Sequence, residues 1–214
     1  MTAIAIEPTV LEGRFIRLHP LTRADLPELF DAVSSPKVYA GGWGGGPAGY
    51  QSTREEFVAF GQSYFVWDDT IVYGVRTLAG RLIGTSSLRD FNLVREHTHI
   101  GATAFHQDFW GGPVNPEAKL LMLDMAFDHG FGRVKLQADS LNNRSRAAIL
   151  KMGATFEGIK RRDMLRADGS WRDSAIYSVL IDEWPDVRAG LEQRLAAFEA
   201  TGVTLDTAPG DHHE

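Results

Sequence analysis

The stretch HTHIGATAFHQDFWGGPVNPEAKLLMLDMAFDHG, residues 97–130, decides the fold. His97 to Phe105 reads as a strand and Glu117 to Gly130 as a helix. Between them lies the hinge Phe109-Trp110-Gly111-Gly112-Pro113-Val114-Asn115-Pro116. Asn115 is the expected N-cap, and Pro116 suits the first helical position. Gly111 and Gly112 let the backbone approach a ligand closely. A strand that hands such a loop to a helix N-terminus aims free N–H groups and the positive end of the helix dipole at an anion. The same residues also read as an ordinary capped helix start, and two glycines alone do not separate the readings.

The helix after the hinge carries Ala118, Leu121, Met122, Met125 and Ala126 on one stripe, with Leu120, Leu123 and Phe127 beside it. Only Lys119, Asp124 and Asp128 interrupt the apolar surface, so it is expected to pack on a sheet over most of its girth. The methionines there read as core.

Further along the chain, Arg133 to Asp139 reads as a strand. Asn142-Asn143-Arg144-Ser145 opens a short helix that stops at Gly153. Thr155 to Arg166 and Ser174 to Ile181 form a hairpin turned at Asp168-Gly169. Trp184-Pro185 starts a last helix through Phe198. Back toward the N-terminus, Ile71–Thr77, Leu82–Arg89 and His97–Phe105 lie at hairpin spacing and predict an antiparallel meander. Thr53, or Ser52, caps a helix to Tyr64, and Thr22 with Asp25 caps another over Arg23 to Val33. Arg14 to Leu18 alternates like a half-buried strand, after a loose lead-in over residues 1–12. Ser35 to Tyr50 holds Gly41, Gly42, Gly44, Gly45, Gly46 and Gly49, a density at which no regular element is expected. It reads either as a mobile surface loop or as a substrate loop whose aromatics Tyr39, Trp43 and Tyr50 line a cleft.

These elements predict an α/β (α+β) fold in one domain over residues 1–200, with a disordered tail at 201–214. The sheet is mixed and mostly antiparallel, with about seven strands and helices on both faces. It has one parallel pair, because the strand-helix-strand unit around the hinge returns in the same direction.

Composition narrows the chemistry. The 214 residues contain no cysteine, which removes disulfides, thiolate metal sites and a cysteine nucleophile. The net charge of −6 argues against nucleic acid as a partner. No run of about 18 apolar residues is present, so no membrane span is expected. No signal peptide is evident, and the cytoplasm is the expected location. His97 and His99 share a strand face without an apparent third ligand, so no metal site is expected.

Read together, the hinge loop and Asn142-Asn143-Arg144-Ser145, with its helix ending in Gly153-Ala154, resemble the GNAT N-acetyltransferase superfamily. The Leu11-Glu12-Gly13-Arg14-Phe15-Ile16-Arg17-Leu18 segment and the hairpin Asp168-Gly169-Ser170-Trp171-Arg172-Asp173 with Tyr177 resemble its ribosomal-protein N-terminal acetyltransferase (Rim-type) branch. The resemblance runs from about Leu11 to Leu195. It implies a splayed central strand pair with acetyl-CoA in the gap, and direct transfer of acetyl to a primary amine of a protein, a peptide or a small molecule. Related enzymes are monomers or homodimers.

Under that resemblance Trp110, Gly111, Gly112, Val114 and Asn115 are expected at the coenzyme A diphosphate, and the backbone of Ala104 and Phe105 along the pantetheine arm. Trp110 stands where the family often has Gln or Arg. Pro113 replaces a usual glycine and removes a donor. Asn142 and Ser145 are expected near the thiol, with Ser145 a candidate acid for the leaving thiolate. Arg144, Arg146 and Lys151 are candidates for phosphates. For the general base, His99 competes with Asp163 and Asp173. Its unperturbed pKa of about 6.5 suits the task. A non-catalytic acyl-CoA-binding sensor module is the alternative.

Overall fold

In the computed structural model, which describes residues 3–205, eight strands form one sheet in the order β1-β2-β3-β4-β5-β6-β8-β7. The strands are β1 (Leu11–Glu12), β2 (Ile16–Pro20), β3 (Thr70–Thr77), β4 (Leu82–Asn92), β5 (His97–Phe105), β6 (Arg133–Asp139), β7 (Thr155–Leu165) and β8 (Trp171–Leu180). The helices are α1 (Leu26–Val33), α2 (Pro36–Ala40), α3 (Arg54–Tyr64), α4 (Val114–Asp128), α5 (Asn143–Lys151) and α6 (Trp184–Ala200). Among the described residues only β5 and β6 run parallel. The extra strand relative to expectation is β1, a two-residue hairpin arm paired to β2 inside the anticipated loose lead-in. The expected tail begins at the turn Thr201–Gly202. Leu205 packs back on the core, and residues 206–214, with His212 and His213, lie outside the described residues.

Local chemistry sets the helix starts. Thr22 and Asp25 form a reciprocal capping box, as do Thr53 and Glu56. Asn142 accepts from the Ser145 N–H at 3.0 Å. Asn115 does not cap α4, contrary to expectation. The helix begins one residue earlier, at Val114, with Pro113 at the cap position and no side-chain cap bond. The buried Val114 side chain fixes that earlier start by anchoring the first turn in the core.

The core lies between the sheet and the helices α4 and α6. Val114, Ala118, Met122, Leu123 and Ala126 of α4 are buried against Ile100, Val134 and Leu136. The α4 helix is also pinned by Glu117. Its carboxylate turns away from the hinge and accepts three backbone N–H groups, from Arg14 at 2.7 Å and from Phe15 and Ile16 at 2.8 Å. Gly13 is needed there, since a Cβ would lie 2.5 Å from the Glu117 Cδ. A second apolar cluster joins α1, α3 and the glycine-rich segment to the opposite sheet face through Val72, Leu82 and Ala104.

The glycine-rich segment is not irregular throughout. It contains α2 and two short 3-10 turns, Trp43–Gly45 and Pro47–Gly49. Its glycines serve close approach. A Cβ at Gly41 would crowd Asn142 and Arg144, one at Gly42 would press on Asp139, and one at Gly45 would press on Ala167. The Asn142 side-chain amide donates to the Gly41 carbonyl. The Ala167 N–H donates to the Gly45 carbonyl at 3.1 Å. The segment is thus wedged between the start of α5 and the β7–β8 turn.

Candidate active site

Pairing between β5 and β6 stops at Ile100 and Leu136. β5 continues to Phe105, paired only with β4, and β6 continues to Asp139, paired only with β8. The two strands part and leave a cleft of about 300 Å³. One wall is Gly101–Phe105 and the other is Leu136–Asp139. Trp110, Gly111 and Asn115 line it from the hinge, and Asn142, the cap of α5, lines it together with Arg144 and Ser145 of that helix. Tyr64, Arg89, His99 and Arg172 also line the cleft.

The β5 wall is bent. Ala102 and Thr103 together oppose Ser86, a bulge in which Ala102 takes φ of +48°. Such backbone persists only where its surroundings hold it. Trp43 donates from Nε1 to the Ala102 carbonyl at 3.1 Å. Lys119, 5% exposed, donates from Nζ to Thr103 Oγ1 at 2.7 Å and to Ser86 Oγ at 3.1 Å. Side chains from two different elements therefore fix the bulge. Burial pushes the Lys119 ammonium down to about 7. The Phe105 carbonyl is already engaged, accepting from Trp110 Nε1 at 2.9 Å.

At the hinge, Gly111 has φ of +82° and no atom within 4 Å of a would-be Cβ, so backbone conformation rather than space demands glycine. Gly112 and Val114 do not line the cleft. Gly112 faces Val203, Thr204 and Leu205 across a shallow depression, and the Val114 side chain is in the core. The N–H groups of Val114 and Asn115 fall in the first turn of α4, where a helix offers no internal acceptor. Pro113 and Pro116 contribute none. Arg144 spans from α5 to the hinge, its guanidinium carbon 3.5 Å from the Trp110 ring centroid. Arg146 is committed elsewhere, to the Ser140 carbonyl at 3.1 Å and Tyr177 Oη at 3.2 Å. Lys151 ends α5 and does not line the cleft.

His99 is 4% exposed. Its Nδ1 lies 2.9 Å from Asp90 Oδ2, which also meets Lys135 Nζ at 3.3 Å. Burial outweighs the Asp90 contact and takes the imidazole down to about 4, while Asp90 is held below the usual carboxylate range chiefly by its bond to His99. The ring is neutral at pH 7. An ionised Asp90 then fixes the proton on Nδ1, and Nε2, buried and unbonded, is left as an acceptor. The rival carboxylates are not on the cleft. Asp163 pairs with Lys160, and Asp173 accepts the Arg162 N–H at 2.8 Å.

Trp43 is one of several aromatics in its loop, and Lys119, Asp90, Arg89 and Arg172 line or support the cleft beyond the residues expected from the sequence. Asp90 sits across the β4–β5 hairpin, beside the Arg89↔His99 pair. Extending the hairpin register past Arg89 was the available signal. Lys119 stood out as a cation on an apolar helix, which is a signal for a buried role.

The family model for the acetyltransferase (GNAT) domain matches residues 16–155. A Brucella melitensis GCN5-related N-acetyltransferase structure is 29% identical, over 96% of this chain and 95% of its own, with a TM-score of 0.83. A T. thermophilus protein assigned as an acetyltransferase is 32% identical, over 90% of this chain and 100% of its own, with a TM-score of 0.79. Mycobacterium smegmatis RimJ in complex with CoA-disulfide is similar in fold, at 16% identity, with 89% and 95% of the two chains covered and a TM-score of 0.68. No curated protein matches the chain.

Proposed function

The chain belongs to the GNAT acetyltransferase family and is an acetyl-CoA-dependent N-acetyltransferase. From that premise we propose that it works in the Rim-type branch, acetylating the α-amine of a protein or peptide, or a small primary amine, in the cleft between β5 and β6. The observation that carries this reading is the free edge of β5 after Ile100, facing Asn142 and Ser145 with the start of α4 at its end. An extended amide chain pairs with such an edge as an added strand would. The N–H groups of Gly111, Val114 and Asn115 and the Arg144 guanidinium supply the anion-binding end.

Acetyl-CoA brings a thioester activated toward amines. The chain's own groups manage protons and charge. Nε2 of His99 takes the proton released as the amine nitrogen bonds to the acetyl carbon, directly or through one water. Asp90 then stabilises the imidazolium. The C–S bond breaks, the Ser145 hydroxyl hands a proton to the departing sulfur, and the proton held on His99 returns through water to the Ser145 oxygen, so both groups end as they began. Backbone N–H groups of the pinned bulge polarise the carbonyl oxygen. No acyl-enzyme forms, in keeping with a chain without cysteine.

The test is thiol release from acetyl-CoA with a panel of amines, together with mass analysis of both amine and enzyme. Acetylated amine in step with released thiol supports the reading. Coenzyme A bound tightly without acetylation of any amine refutes it.

A further inference from the structure

The cleft also carries a half-buried cation whose side chain has no direct partner. Arg172 is the second residue of β8, opposite Met164 and two residues before Ser174, which pairs with Asp139. Residues two apart on a strand share a face, and Arg172 lines the cleft with Tyr64, Arg89 and His99. The acids around it are already taken. Asp139 Oδ2 receives Arg166 at 2.7 Å, Asp163 pairs with Lys160, and Asp90 serves His99 and Lys135. The Arg172 side chain has no hydrogen bond or ion pair among the described residues, and its Nε is buried. The Arg89 Nε is also buried without a hydrogen bond, 3.5 Å from Asp90 Oδ1.

A half-buried guanidinium whose Nε is shut off from water without a partner is poorly solvated, and an anion relieves that cost. The planar fork of Arg matches a carboxylate in two parallel bonds. We propose that the acceptor amine carries a carboxylate, which Arg172 grips with Arg89 beside it, so that the amine is delivered toward Nε2 of His99. This rests on the acetyl-transfer reading above and names the acceptor's chemistry. The carboxylate belongs either to a free amino acid or to an acidic side chain next to a peptide's α-amine.

The experiment compares matched acceptors: glutamate, aspartate and γ-aminobutyrate against their amides, and Ala-Glu-Gly-amide against Ala-Gln-Gly-amide. Turnover and binding to the coenzyme A complex by calorimetry are both read, for wild type, Arg172→Gln and Arg172→Lys. The acid of at least one pair should exceed its amide by about tenfold or more in kcat/KM, mainly through KM. Arg172→Gln should erase that preference and Arg172→Lys should restore part of it. The amino-acid and peptide arms tell the two carboxylate sources apart. Equal use of acid and amide throughout, or an acid preference untouched in Arg172→Gln, overturns the proposal while leaving acetyl transfer standing. If no amine is acetylated, the acetyl-transfer reading fails. Calorimetry then decides the anion preference by itself: tighter binding of the acid, lost in Arg172→Gln, supports it, and no difference or no binding overturns it.

Discussion

Nδ1 of His99 and Oδ2 of Asp90 lie 2.9 Å apart, on neighbouring strands whose register places Arg89 opposite His99. The pair orients a buried imidazole and leaves Nε2 as its unbonded nitrogen, the one assigned above to the acceptor's proton. His99→Gln should lower kcat by about a hundredfold or more, the usual contribution of a positioned base. Asp90→Asn should lower it less, by removing the charge that stabilises the imidazolium. Because His99 is pushed down to about 4, the acid limb of its kcat/KM profile belongs near that pH rather than near 6.5. Wild-type rates in His99→Gln would remove it from the reaction.

Lys119 sets a pH dependence of stability. Its pKa falls from 10.5 in the unfolded chain to about 7 in the folded one, so the unfolded state binds more protons between those values. Stability should therefore rise as pH increases from about 7 toward 10, as the ammonium loses its charge. Lys119→Met should flatten that slope in urea titrations at several pH values. A slope of equal size in the variant would mean that another group causes it.

Glu117 and Gly13 form a lock between α4 and the N-terminal turn. Glu117→Gln replaces an acceptor of three N–H groups with an amide that must turn a donor toward them, which should cost about 2–3 kcal/mol. Gly13→Ala should cost about 1–3 kcal/mol by overpacking against the carboxylate. Urea denaturation at pH 7 measures both. Midpoints unchanged from wild type would show that the turn gives way freely.

Much of this architecture was legible in the residues. Alternation and turn chemistry located the meander and the β7–β8 hairpin, and the caps Thr22, Thr53 and Asn142 were readable because a polar residue ahead of an apolar run has a local meaning. Asn115 misled because two cap-like signals, Asn115 and Pro116, lay inside the first turn of a helix whose start is fixed by burial of Val114. That burial is tertiary, and no local pattern reports it. The glycine-rich segment hid α2, since its glycines answer to Asn142, Asp139 and Ala167, which are distant in the chain. His99 was visible as a candidate, but its partner Asp90 and the unpaired Arg172 depend on strand register and on which acids are already satisfied.

Ser145 stands at the start of α5 on the cleft wall. If it protonates the departing sulfur, Ser145→Ala should reduce kcat by about tenfold or more with little change in coenzyme A affinity. Steady-state kinetics beside calorimetry separates the two quantities. Unchanged kcat would leave the residue as part of the helix start alone.

The most direct measurement is a calorimetric titration of coenzyme A into wild type and Gly111→Asp, with Gly111→Ala as the control for backbone strain. At φ of +82° any side chain brings strain of about 1 kcal/mol. The aspartate adds a negative charge beside the start of α4, where the diphosphate is assigned. Wild type should bind, and Gly111→Asp should weaken binding by about tenfold or more beyond Gly111→Ala. Equal affinity in the two variants would contradict the placement of the diphosphate at this hinge.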